Sequence, residues 1–250
     1  MRIVGFIPAR MGSSRFPGKP LAGICGMPMI EHVYKRSKMS RSLNALYVAT
    51  CDKEIKEAVE KFGGKAIMTS PKHERCTERI AEAARNIKAD IVVNIQGDEP
   101  LLFPEMIDLA VKPLVKDKKI LCSNLIGSIN TREEFKDPNT IKVVIDKKQN
   151  ALYFSREPIP TDKRGMFGPV FKQVCIMPFK KGFLLKFVKM ESTPLEKAES
   201  IDMLRILEHG YAVKTVYSDS RTYSVDTPQD LKRVEKVMIK DRLFRFYRCK

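Results

Sequence analysis

The sequence predicts an α/β fold with a mostly parallel central sheet and helices packed on its faces. Short apolar runs typical of buried strands alternate with helical patterns about every dozen residues, as in a parallel sheet. The first strand is RIVGFI at residues 2–7. An amphipathic pattern at 52–64 ends at Gly63 and Gly64, which is a common stop signal for a helix.

The rest of the first half keeps this alternation. Strands are predicted at 45–50, 65–70 and 90–95, and further helices at 28–40 and 76–87. Ligands of such sheets bind beyond the carboxyl ends of the strands. We therefore expect the loop after the first strand and the QGDEP turn at 96–100 to lie on the same rim.

The second half is less regular. Strands are predicted at 123–129, 141–146, 173–179 and 212–217, with helices at 182–190, 193–210 and from 228 to 247. The segment 150–160 is predicted to be a strand that ends in a proline-containing loop, and residues 161–171 to be a mobile connection. Thr193 and Thr227 are the expected N-caps of the last two helices, each followed by proline at the first helical position. We interpret the chain as a single domain, residues 1–250, in which residues 120–180 form an inserted β-rich lobe and a dimer surface.

Charge and cysteine content narrow the classes of function. The net charge of +16 favours anionic partners, such as nucleotides, acidic sugars, nucleic acid or acidic membrane surfaces, without choosing among them. No apolar run is long enough to span a membrane, and the N-terminus lacks the features of a secretory signal, so we expect a cytoplasmic protein. The six cysteines form no C-x-x-C pair and no zinc-like spacing with histidine.

The segment after the first strand is cationic and rich in small residues. PARMGSSRFPGKPL, residues 8–21, contains Arg10, Arg15 and Lys19 together with two glycines and two serines, and no acid. Backbone N–H groups of such a loop can turn toward a phosphate chain while the cations neutralise its charge. Pro20 after Lys19 excludes a Walker A loop, and the dinucleotide-binding spacing is absent. Composition alone leaves a phosphate loop and a basic surface turn equally open.

Two acidic motifs are candidates for a metal site. Asp98 and Glu99 follow a predicted strand in QGDEP, and Asp226 precedes a predicted helix in SVDTP. Mg²⁺ is bound by carboxylate oxygens together with phosphate oxygens and water. The alternative is that these aspartates are ordinary turn residues, since aspartate is common in turns.

Taken together, the motifs resemble those of the 3-deoxy-manno-octulosonate (Kdo) cytidylyltransferases, a family of sugar nucleotidyltransferases. The resemblance covers nearly all of the chain, in the family's order, through IPARMGSSRFPGKPL, VATCDKEI, VNIQGDEPLL, DPNTIKVVID, ALYFSREPIP, TPLEKAESIDMLRILEHG and SVDTPQDLKRV. It implies a Rossmann-like three-layer nucleotidyltransferase fold with a small β-rich dimerisation lobe. It also implies transfer of CMP from CTP to a sugar acid, with release of pyrophosphate, by a homodimer that serves cell-surface polysaccharide or lipopolysaccharide synthesis.

The resemblance also implies residue roles. The triphosphate is held by Arg10, Ser13, Arg15 and Lys19, and Thr77 and Arg79 complete the nucleotide site. Mg²⁺ is bound by Asp98 and Asp226, so that the expected catalytic set is Arg10, Lys19, Asp98 and Asp226. The sugar acid is faced by Gln96, Arg156, Gln173, Glu199 and Asp202.

Two departures from the family pattern affect specificity. In HERCTER, residues 73–79, Arg75 and Cys76 replace a Ser-Gly pair, which leaves the strictness of cytosine selection open. In the strand KQVCIMPF, Gln173, Cys175 and Met177 replace the His, Gly and Tyr of many family members. The acceptor predicted here is therefore Kdo or a close relative, such as an amino-substituted or differently configured 2-ulosonic acid.

Other interpretations remain. One keeps the fold and changes the nucleotide or the acceptor sugar, and another is a catalytically silent relative. A more distant one is a nucleic-acid-binding protein, suggested by the net charge and by the tail KDRLFRFYRCK, which interleaves Arg with aromatic residues. We predict no nucleic-acid partner and no membrane partner, because a docked terminal helix better explains the apolar residues Val234, Val237, Met238, Leu243 and Phe244.

Overall fold

A computed structural model describes residues 1–12, 16–161, 170–220 and 223–248. Its strands are β1 (Ile3–Ala9), β2 (Gly23–Ile24), β3 (Met27–Pro28), β4 (Ala45–Thr50), β5 (Ala66–Met68), β6 (Ile91–Ile95), β7 (Ser123–Ser128), β8 (Lys142–Ile145), β9 (Ala151–Ser155), β10 (Phe171–Val174), β11 (Ile176–Lys180) and β12 (Lys214–Tyr217). Its helices are α1 (Met29–Lys38), α2 (Lys53–Lys61), α3 (Cys76–Ala84), α4 (Pro104–Lys116), α5 (Arg132–Lys136), α6 (Lys181–Phe187), α7 (Pro194–Glu199), α8 (Asp202–Glu208), α9 (Pro228–Met238) and α10 (Arg242–Arg248).

The central sheet has the order β11-β6-β1-β4-β5. β6, β1, β4 and β5 run parallel, and only the edge strand β11 is antiparallel to its neighbour. Because side chains alternate across a strand, Val4 and Phe6 enter one core and Ile3 and Ile7 the other. Helices α3 and α6 cover the first face, and α1, α2 and α4 cover the second. The predicted three-layer α/β architecture is confirmed.

A second, mostly antiparallel sheet has the order β12-β7-β10-β8-β9. Four of its strands lie between residues 123 and 174, and β12 joins them in parallel with β7. An isolated antiparallel bridge between Cys122 and Phe179 connects the beginning of β7 to β11 of the central sheet. The two sheets are therefore in direct contact through their adjoining strands.

The predicted strand at 173–179 is wrong in one respect, because the structure divides it into two strands that belong to different sheets. β10 pairs with β7 and β8 in the second sheet, whereas β11 pairs with β6 in the central sheet. The chain changes sheets at Cys175. The residues on both sides of Cys175, Val174 and Ile176, are apolar and buried, so nothing in the local sequence indicates such a change.

Two helices predicted as continuous are also divided. The segment 193–210 forms α7 and α8, with Ser200 between them in the left-handed conformation (φ 55°, ψ 46°). The C-terminal segment forms α9 and α10, which are separated at residues 239–241. Left-handed backbone is uncommon for serine, and nothing in the local sequence predicts it. The N-cap of α9 is as predicted, since the Thr227 hydroxyl accepts a hydrogen bond from the Asp230 N–H.

A buried polar network docks the C-terminal helices. Nε2 of His32 lies 2.8 Å from the carbonyl oxygen of Ile24, so this nitrogen donates and Nδ1 accepts from the Tyr247 hydroxyl, 2.7 Å away. Arg36, fully buried on α1, donates to the same hydroxyl and to the carboxylate of Asp241. Around this network the predicted apolar residues of the terminal helices pack together, with Val234, Met238 and Phe244 buried and Val237 and Leu243 partly buried.

One further prediction concerns residues that lie mostly outside the described ranges, and two helices were not predicted. The connection predicted at 161–171 lies mostly outside the described residues. Helices α4 and α5 were not predicted from the sequence, and Pro113 inside α4 contributes to that omission because proline opposes helix interiors. Among the helices in the described ranges, none combines the length and apolar character needed to cross a bilayer.

A buried ion pair fastens α7 to α8. The carboxylate of Glu196 accepts hydrogen bonds from Nε and Nη2 of Arg205 at 2.7 and 2.6 Å, and both side chains are buried. Burial acts to raise the pKa of Glu196, but the hydrogen bonds and charge of Arg205 outweigh it, and the pKa lies below its ordinary value. The pair thus stabilises the folded state while Glu196 is ionised.

We expect the substitution Glu196→Ala to reduce the free energy of unfolding by about 3–5 kcal/mol at pH 7, because it leaves Arg205 buried without its partner. The pKa of Glu196 is lowered on folding, so its contribution is present above the ordinary glutamate value and lost as the pH falls through the folded-state value. Urea denaturation at pH 7 and at decreasing pH measures both effects. The exposed Glu191→Ala is the control, and equal losses in the two variants would contradict the prediction.

Candidate active site

The candidate site lies at the rim where β1 and β6 end. These strands are parallel neighbours, with Ile3 opposite Ile91, so the segments that follow them leave the sheet at the same edge. Arg10 follows β1 and is exposed, and Gln96 follows β6. The expectation that the cationic loop and the QGDEP turn share one rim is confirmed.

The described ends of the cationic loop are fixed by backbone contacts. The N–H of Met11 donates to Oδ2 of Asp52 at 2.8 Å, and the N–H of Gly18 donates to the Met11 carbonyl at 3.0 Å. Gly18 adopts φ 72°, which glycine reaches without steric cost, and a 3₁₀ turn at Lys19–Leu21 follows. Ser13 and Arg15, both predicted to hold the triphosphate, lie outside the described residues.

Lys19 joins two acids that are distant in sequence. Its ammonium nitrogen Nζ lies 3.2 Å from Oδ2 of Asp98 and 3.5 Å from Oδ1 of Asp226. It also donates to the carbonyl oxygen of Val225 at 2.9 Å. The side chains of all three charged residues are 15–29% exposed. Both carboxylates therefore converge on one positive charge at the edge of solvent.

Close backbone packing fixes the acid of the QGDEP turn. The backbone carbonyl of Asp98 accepts a hydrogen bond from the N–H of Val225 at 2.9 Å, so the segment before α9 is tied to the turn. A Cβ atom at Gly97 would lie 3.1 Å from the carbonyl oxygen of Pro8 and 3.4 Å from Ile7. A side chain at residue 97 would thus push the turn away from β1, which explains the glycine of the motif.

The neighbouring acid, Glu99, is buried. Burial raises the pKa of its carboxyl group to about 7, and the negative charge of Asp98 adds to this shift. The backbone of Cys175, where the chain passes from β10 to β11, lies beside this carboxyl group and acts against the shift. Within the described residues, the buried atom Oε2 of Glu99 has no hydrogen-bond partner. Glu99 therefore connects the QGDEP turn to the joint between the two sheets.

A cleft of about 1050 Å³ opens between the two sheets beside these acids. Of the predicted site residues, those that line it are Gln96, Asp98, Arg156, Gln173, Asp202 and Asp226. A smaller cavity of about 40 Å³ adjoins it and is lined by Arg10 and Arg79, together with Arg75 and Cys76, which also line the large cleft. Eight of the predicted site residues thus line two adjoining spaces, whereas Lys19, Thr77 and Glu199 are not part of their described lining.

Thr77 and Asp202 are in direct contact, although one was predicted to bind nucleotide and the other sugar. The Thr77 hydroxyl donates to Oδ2 of Asp202 at 2.6 Å, and burial raises the pKa of Asp202. Arg75 lies 3.6 Å from the other oxygen of Asp202 and donates to the hydroxyl of Ser200 at 2.9 Å. The beginning of α3 is therefore tied to the break between α7 and α8.

Arg79 supports a loop. It is buried, and its guanidinium donates to the Thr69 hydroxyl at 2.7 Å and to the carbonyl oxygens of Ser70 and His73 at 3.4 Å. His73 in turn forms a short contact with Glu82, whose pKa is lowered. Burial of Glu82 opposes that shift, and hydrogen bonds from Ser70 and His73 outweigh it. Arg79 thus shapes the loop at residues 69–73 beside the smaller cavity.

The acceptor side of the cleft is built on the second sheet. Arg156 follows β9, and its Nε and Nη1 donate to the carbonyl oxygens of Glu199 and Pro138 at 2.7 and 2.9 Å. Nε2 of Gln173 donates to Oδ1 of Asn124 at 2.5 Å and lies 3.7 Å from the sulfur of Met177. Arg156 and Gln173 are therefore held in fixed positions by the described residues around them.

Glu199 stands apart from the other predicted sugar residues. Its Oε1 accepts a hydrogen bond from the Ser155 hydroxyl at 2.7 Å, and its Oε2 accepts one from the N–H of Arg156 at 2.8 Å. It is absent from the described lining of the cleft. The carboxylate is engaged with β9, so any contribution to ligand binding passes through its neighbours.

Several site residues are missing from the sequence prediction. Glu99 and Arg75 were quoted in motifs without a role, while Asn124 and Lys142 were not considered. Asn124 and Lys142 are buried on strands of the second sheet. Asn124 donates to the carbonyl oxygen of Val174 on the neighbouring strand, and Lys142 donates to the carbonyl oxygens of Asp137 and Arg156. Only the unusual presence of a lysine in the apolar pattern IKVVID offered a signal for Lys142.

The two aspartates beside Lys19 have the chemistry of metal ligands. Within the described ranges, no group of three or more His, Cys, Asp or Glu side chains has the arrangement of a complete metal site. Mg²⁺ needs less than that, since one or two carboxylates together with substrate phosphates and water complete its coordination. Asp98 and Asp226 already approach one cation, the Lys19 ammonium, from two sides. The donor set therefore fits Mg²⁺ bound together with a phosphate ligand.

Comparison with known proteins places this geometry in a family. The model of the cytidylyltransferase family matches residues 4–219. A 3-deoxy-manno-octulosonate cytidylyltransferase of Geobacter metallireducens is 44% identical over 245 residues, which cover 94% of this chain and 96% of that protein. The protein of the same name from Syntrophus aciditrophicus is 44% identical over 243 residues, which cover 95% and 98% of the two chains.

Solved structures agree with the sequence comparison. A CMP:2-keto-3-deoxy-manno-octonic acid synthetase complexed with CTP superimposes with a TM-score of 0.91 at 38% identity, covering 96% of this chain and 99% of the other. The 4-diphosphocytidyl-2C-methyl-D-erythritol synthase of Anaerococcus prevotii shares the fold, with a TM-score of 0.64 at 12% identity, covering 95% and 99%. The protein described here thus belongs to the family of 3-deoxy-manno-octulosonate cytidylyltransferases.

Proposed function

We propose that this protein transfers CMP from CTP to 3-deoxy-manno-octulosonate, or to a closely related 2-keto-3-deoxy sugar acid, and releases pyrophosphate. The observation that carries the proposal is the convergence of Asp98 and Asp226 on the ammonium group of Lys19. It brings the cationic N-terminal loop and two distant acids to one point beside a large cleft. The names of the similar proteins supply the substrates of the proposal.

The proposed reaction is an in-line substitution at the α-phosphorus of CTP. The anomeric hydroxyl oxygen of the acceptor forms the new bond to phosphorus, and the bond to the oxygen that bridges to the β-phosphate breaks. Pyrophosphate leaves, and the hydroxyl proton passes to solvent. Phosphoryl-type transfers of this kind depend on positioning and charge stabilisation rather than on a protein nucleophile.

The thiols of the cleft are consistent with direct transfer. Burial raises the pKa of Cys76 to about 11, and burial also raises the pKa of Cys175 well above its ordinary value. The thiolate is the nucleophilic form of cysteine, so both side chains are unreactive near neutral pH. A covalent cysteine intermediate is therefore disfavoured.

The roles that we propose for the residues of the nucleotide site follow from their charges. Arg10 and Lys19 contact the triphosphate, as do Ser13 and Arg15 by family resemblance. Asp98 and Asp226 hold Mg²⁺, which when bound would neutralise phosphate charge and orient the leaving group. When nucleotide and metal are absent, the positive charge of Lys19 balances the two carboxylates. When they bind, the Lys19 ammonium group is available to donate to phosphate oxygens.

The remaining proposed contacts divide between base and acceptor. Thr77 and Arg79 shape the loop and the beginning of α3 at the cytosine side, because both are hydrogen-bonded to neighbouring residues, and Arg79 also lines the smaller cavity. The cleft-lining residues proposed to contact the sugar acid are Gln96, Arg156, Gln173 and Asp202. We further propose that the enzyme acts as a homodimer in the cytoplasm, on the route to lipopolysaccharide or a related cell-surface polysaccharide.

We expect purified protein with CTP, Mg²⁺ and 3-deoxy-manno-octulosonate to release pyrophosphate. Asp98→Asn and Asp226→Asn should each lower kcat by about 10²–10³-fold, because each removes negative charge needed to hold the metal–triphosphate complex. A coupled pyrophosphate assay measures the rates. Glu105→Gln, an exposed acid on α4, is the control and should retain the wild-type rate.

A panel of acceptors completes this test. The panel contains Kdo, an amino-substituted analogue, a differently configured 2-ulosonic acid and a neutral hexose. Release with at least one of the keto acids and none with the hexose is the expected pattern. Absence of release with every 2-keto-3-deoxy acid would refute the proposed function.

Nucleotide selectivity is predicted from the same site. CTP with Mg²⁺ should raise the melting temperature more than UTP, GTP or ATP, and a nucleotide at 100-fold its Kd adds about 2.7 kcal/mol of stability. The Arg79→Met variant should lose much of the CTP-induced shift, because it releases the loop at residues 69–73. Equal shifts with all four nucleotides would show that the base is not selected.

A further inference from the structure

Arg156 is held by hydrogen bonds on both its backbone and its side chain. Its N–H donates to Oε2 of Glu199 at 2.8 Å, and its Nε and Nη1 donate to the carbonyl oxygens of Glu199 and Pro138. Within the described ranges, Nη2 has no hydrogen-bond partner, and the residue lines the cleft. The guanidinium is thus fixed on one side and available to a ligand on the other.

A buried lysine, Lys142, holds the backbone of Arg156 in place. Lys142 on β8 is fully buried, and its Nζ donates to the backbone carbonyl of Arg156 and, at 2.9 Å, to that of Asp137. Burial lowers the pKa of the Lys142 ammonium, and nearby acids, Asp137 first among them, oppose that shift. A lysine at a fully buried strand position is costly unless its donors are used.

Lys142 and Arg156 act on the same turn. Lys142 binds the carbonyl of Asp137, and Arg156 binds the carbonyl of the next residue, Pro138. Lys142 also binds the carbonyl of Arg156. The turn at Asp137 and Pro138, strand β8 and the residue after β9 are therefore linked by a closed set of hydrogen bonds, which we call the frame. Loss of the lysine ammonium would release two carbonyls at once and let the arginine shift.

Glu199, the last residue of α7, adds contacts from its carboxylate to β9 and Arg156. Its Oε1 accepts from the Ser155 hydroxyl at 2.7 Å and from the Tyr153 hydroxyl at 3.4 Å, while Oε2 is used by the Arg156 N–H. Both carboxylate oxygens are therefore engaged by β9 and the residue after it. This arrangement is that of a support for Arg156 rather than of a group that faces the sugar.

We propose that Lys142 and Glu199 are positioning residues, which hold the guanidinium of Arg156 in the cleft where it binds the carboxylate of the acceptor. The inference rests on the proposed function, because it assumes an acidic acceptor in this cleft. Arg156 would donate from Nη2, and an arginine–carboxylate contact needs a fixed donor geometry. Small displacements of such a group weaken binding strongly.

The test measures KM for the acceptor and KM for CTP separately, by pyrophosphate release. Arg156→Gln should raise the acceptor KM by about 100-fold, and Lys142→Met, which removes the ammonium group and keeps an unbranched apolar side chain, by about 10-fold. KM for CTP should stay within about twofold in both, because the triphosphate residues are untouched. Lys214→Met is the matched control, since Lys214 also binds a backbone carbonyl of the second sheet, that of Lys148.

A double-mutant cycle separates positioning from direct contact. If Lys142 acts through Arg156, the double variant Lys142→Met/Arg156→Gln should have the acceptor KM of Arg156→Gln alone. Glu199→Gln should behave in the same way and provides the test should Lys142→Met fail to fold, as judged by loss of the CTP-induced thermal shift. Multiplicative effects, or an unchanged acceptor KM in both Lys142→Met and Glu199→Gln, would overturn the inference.

The outcomes also distinguish this inference from the proposed function. Absence of pyrophosphate release by the wild-type enzyme with every sugar acid refutes the function and the inference together. Activity with an unchanged acceptor KM in Arg156→Gln refutes the role of Arg156 and leaves the transfer reaction standing. A large effect of Arg156→Gln with no effect of the two supporting variants refutes the positioning role alone.

Discussion

The contact of the Lys19 ammonium with two carboxylates is the interaction on which the site depends. Two aspartates at the edge of a low-dielectric sheet repel each other, and a cation between them offsets that repulsion. Lys19 and Asp98 are separated by 79 residues in sequence, and Asp226 comes from the C-terminal region. The fold of the central sheet, the docking of α9 and the course of the cationic loop must all be correct before these three groups can meet.

The sequence contained most of the information needed for the central sheet. The strands at the core are short apolar runs separated by helices with clear stop signals. Local patterns of this kind are enough to predict these strands and helices. The rim that carries the site followed from the same reasoning, since β1 and β6 are parallel neighbours. Sequence motifs also identified Lys19, Asp98 and Asp226, which the structure brings together.

What the sequence did not reveal depends on long-range packing. The change of sheet at Cys175 occurs between apolar residues, and the break at Ser200 occurs inside an amphipathic helical pattern, so no local signal marks either of them. Lys142 was overlooked, and the contacts of Glu199 with β9 were not foreseen, for a related reason. Their partners are backbone carbonyls, hydroxyls and N–H groups, whose positions depend on the completed second sheet. Periodicity indicates which face a residue occupies but not which distant atom it meets.

The change of sheet at Cys175 has a mechanical consequence. A single residue separates β10, which carries Gln173 on the acceptor side, from β11, which is the edge strand beside the QGDEP turn. Glu99 lies beside the backbone at this residue, and a bridge between Cys122 and Phe179 joins the sheets nearby. The two walls of the cleft are therefore joined at their common corner. A rotation of one sheet against the other would have to break the Cys122–Phe179 bridge and distort the backbone at Cys175.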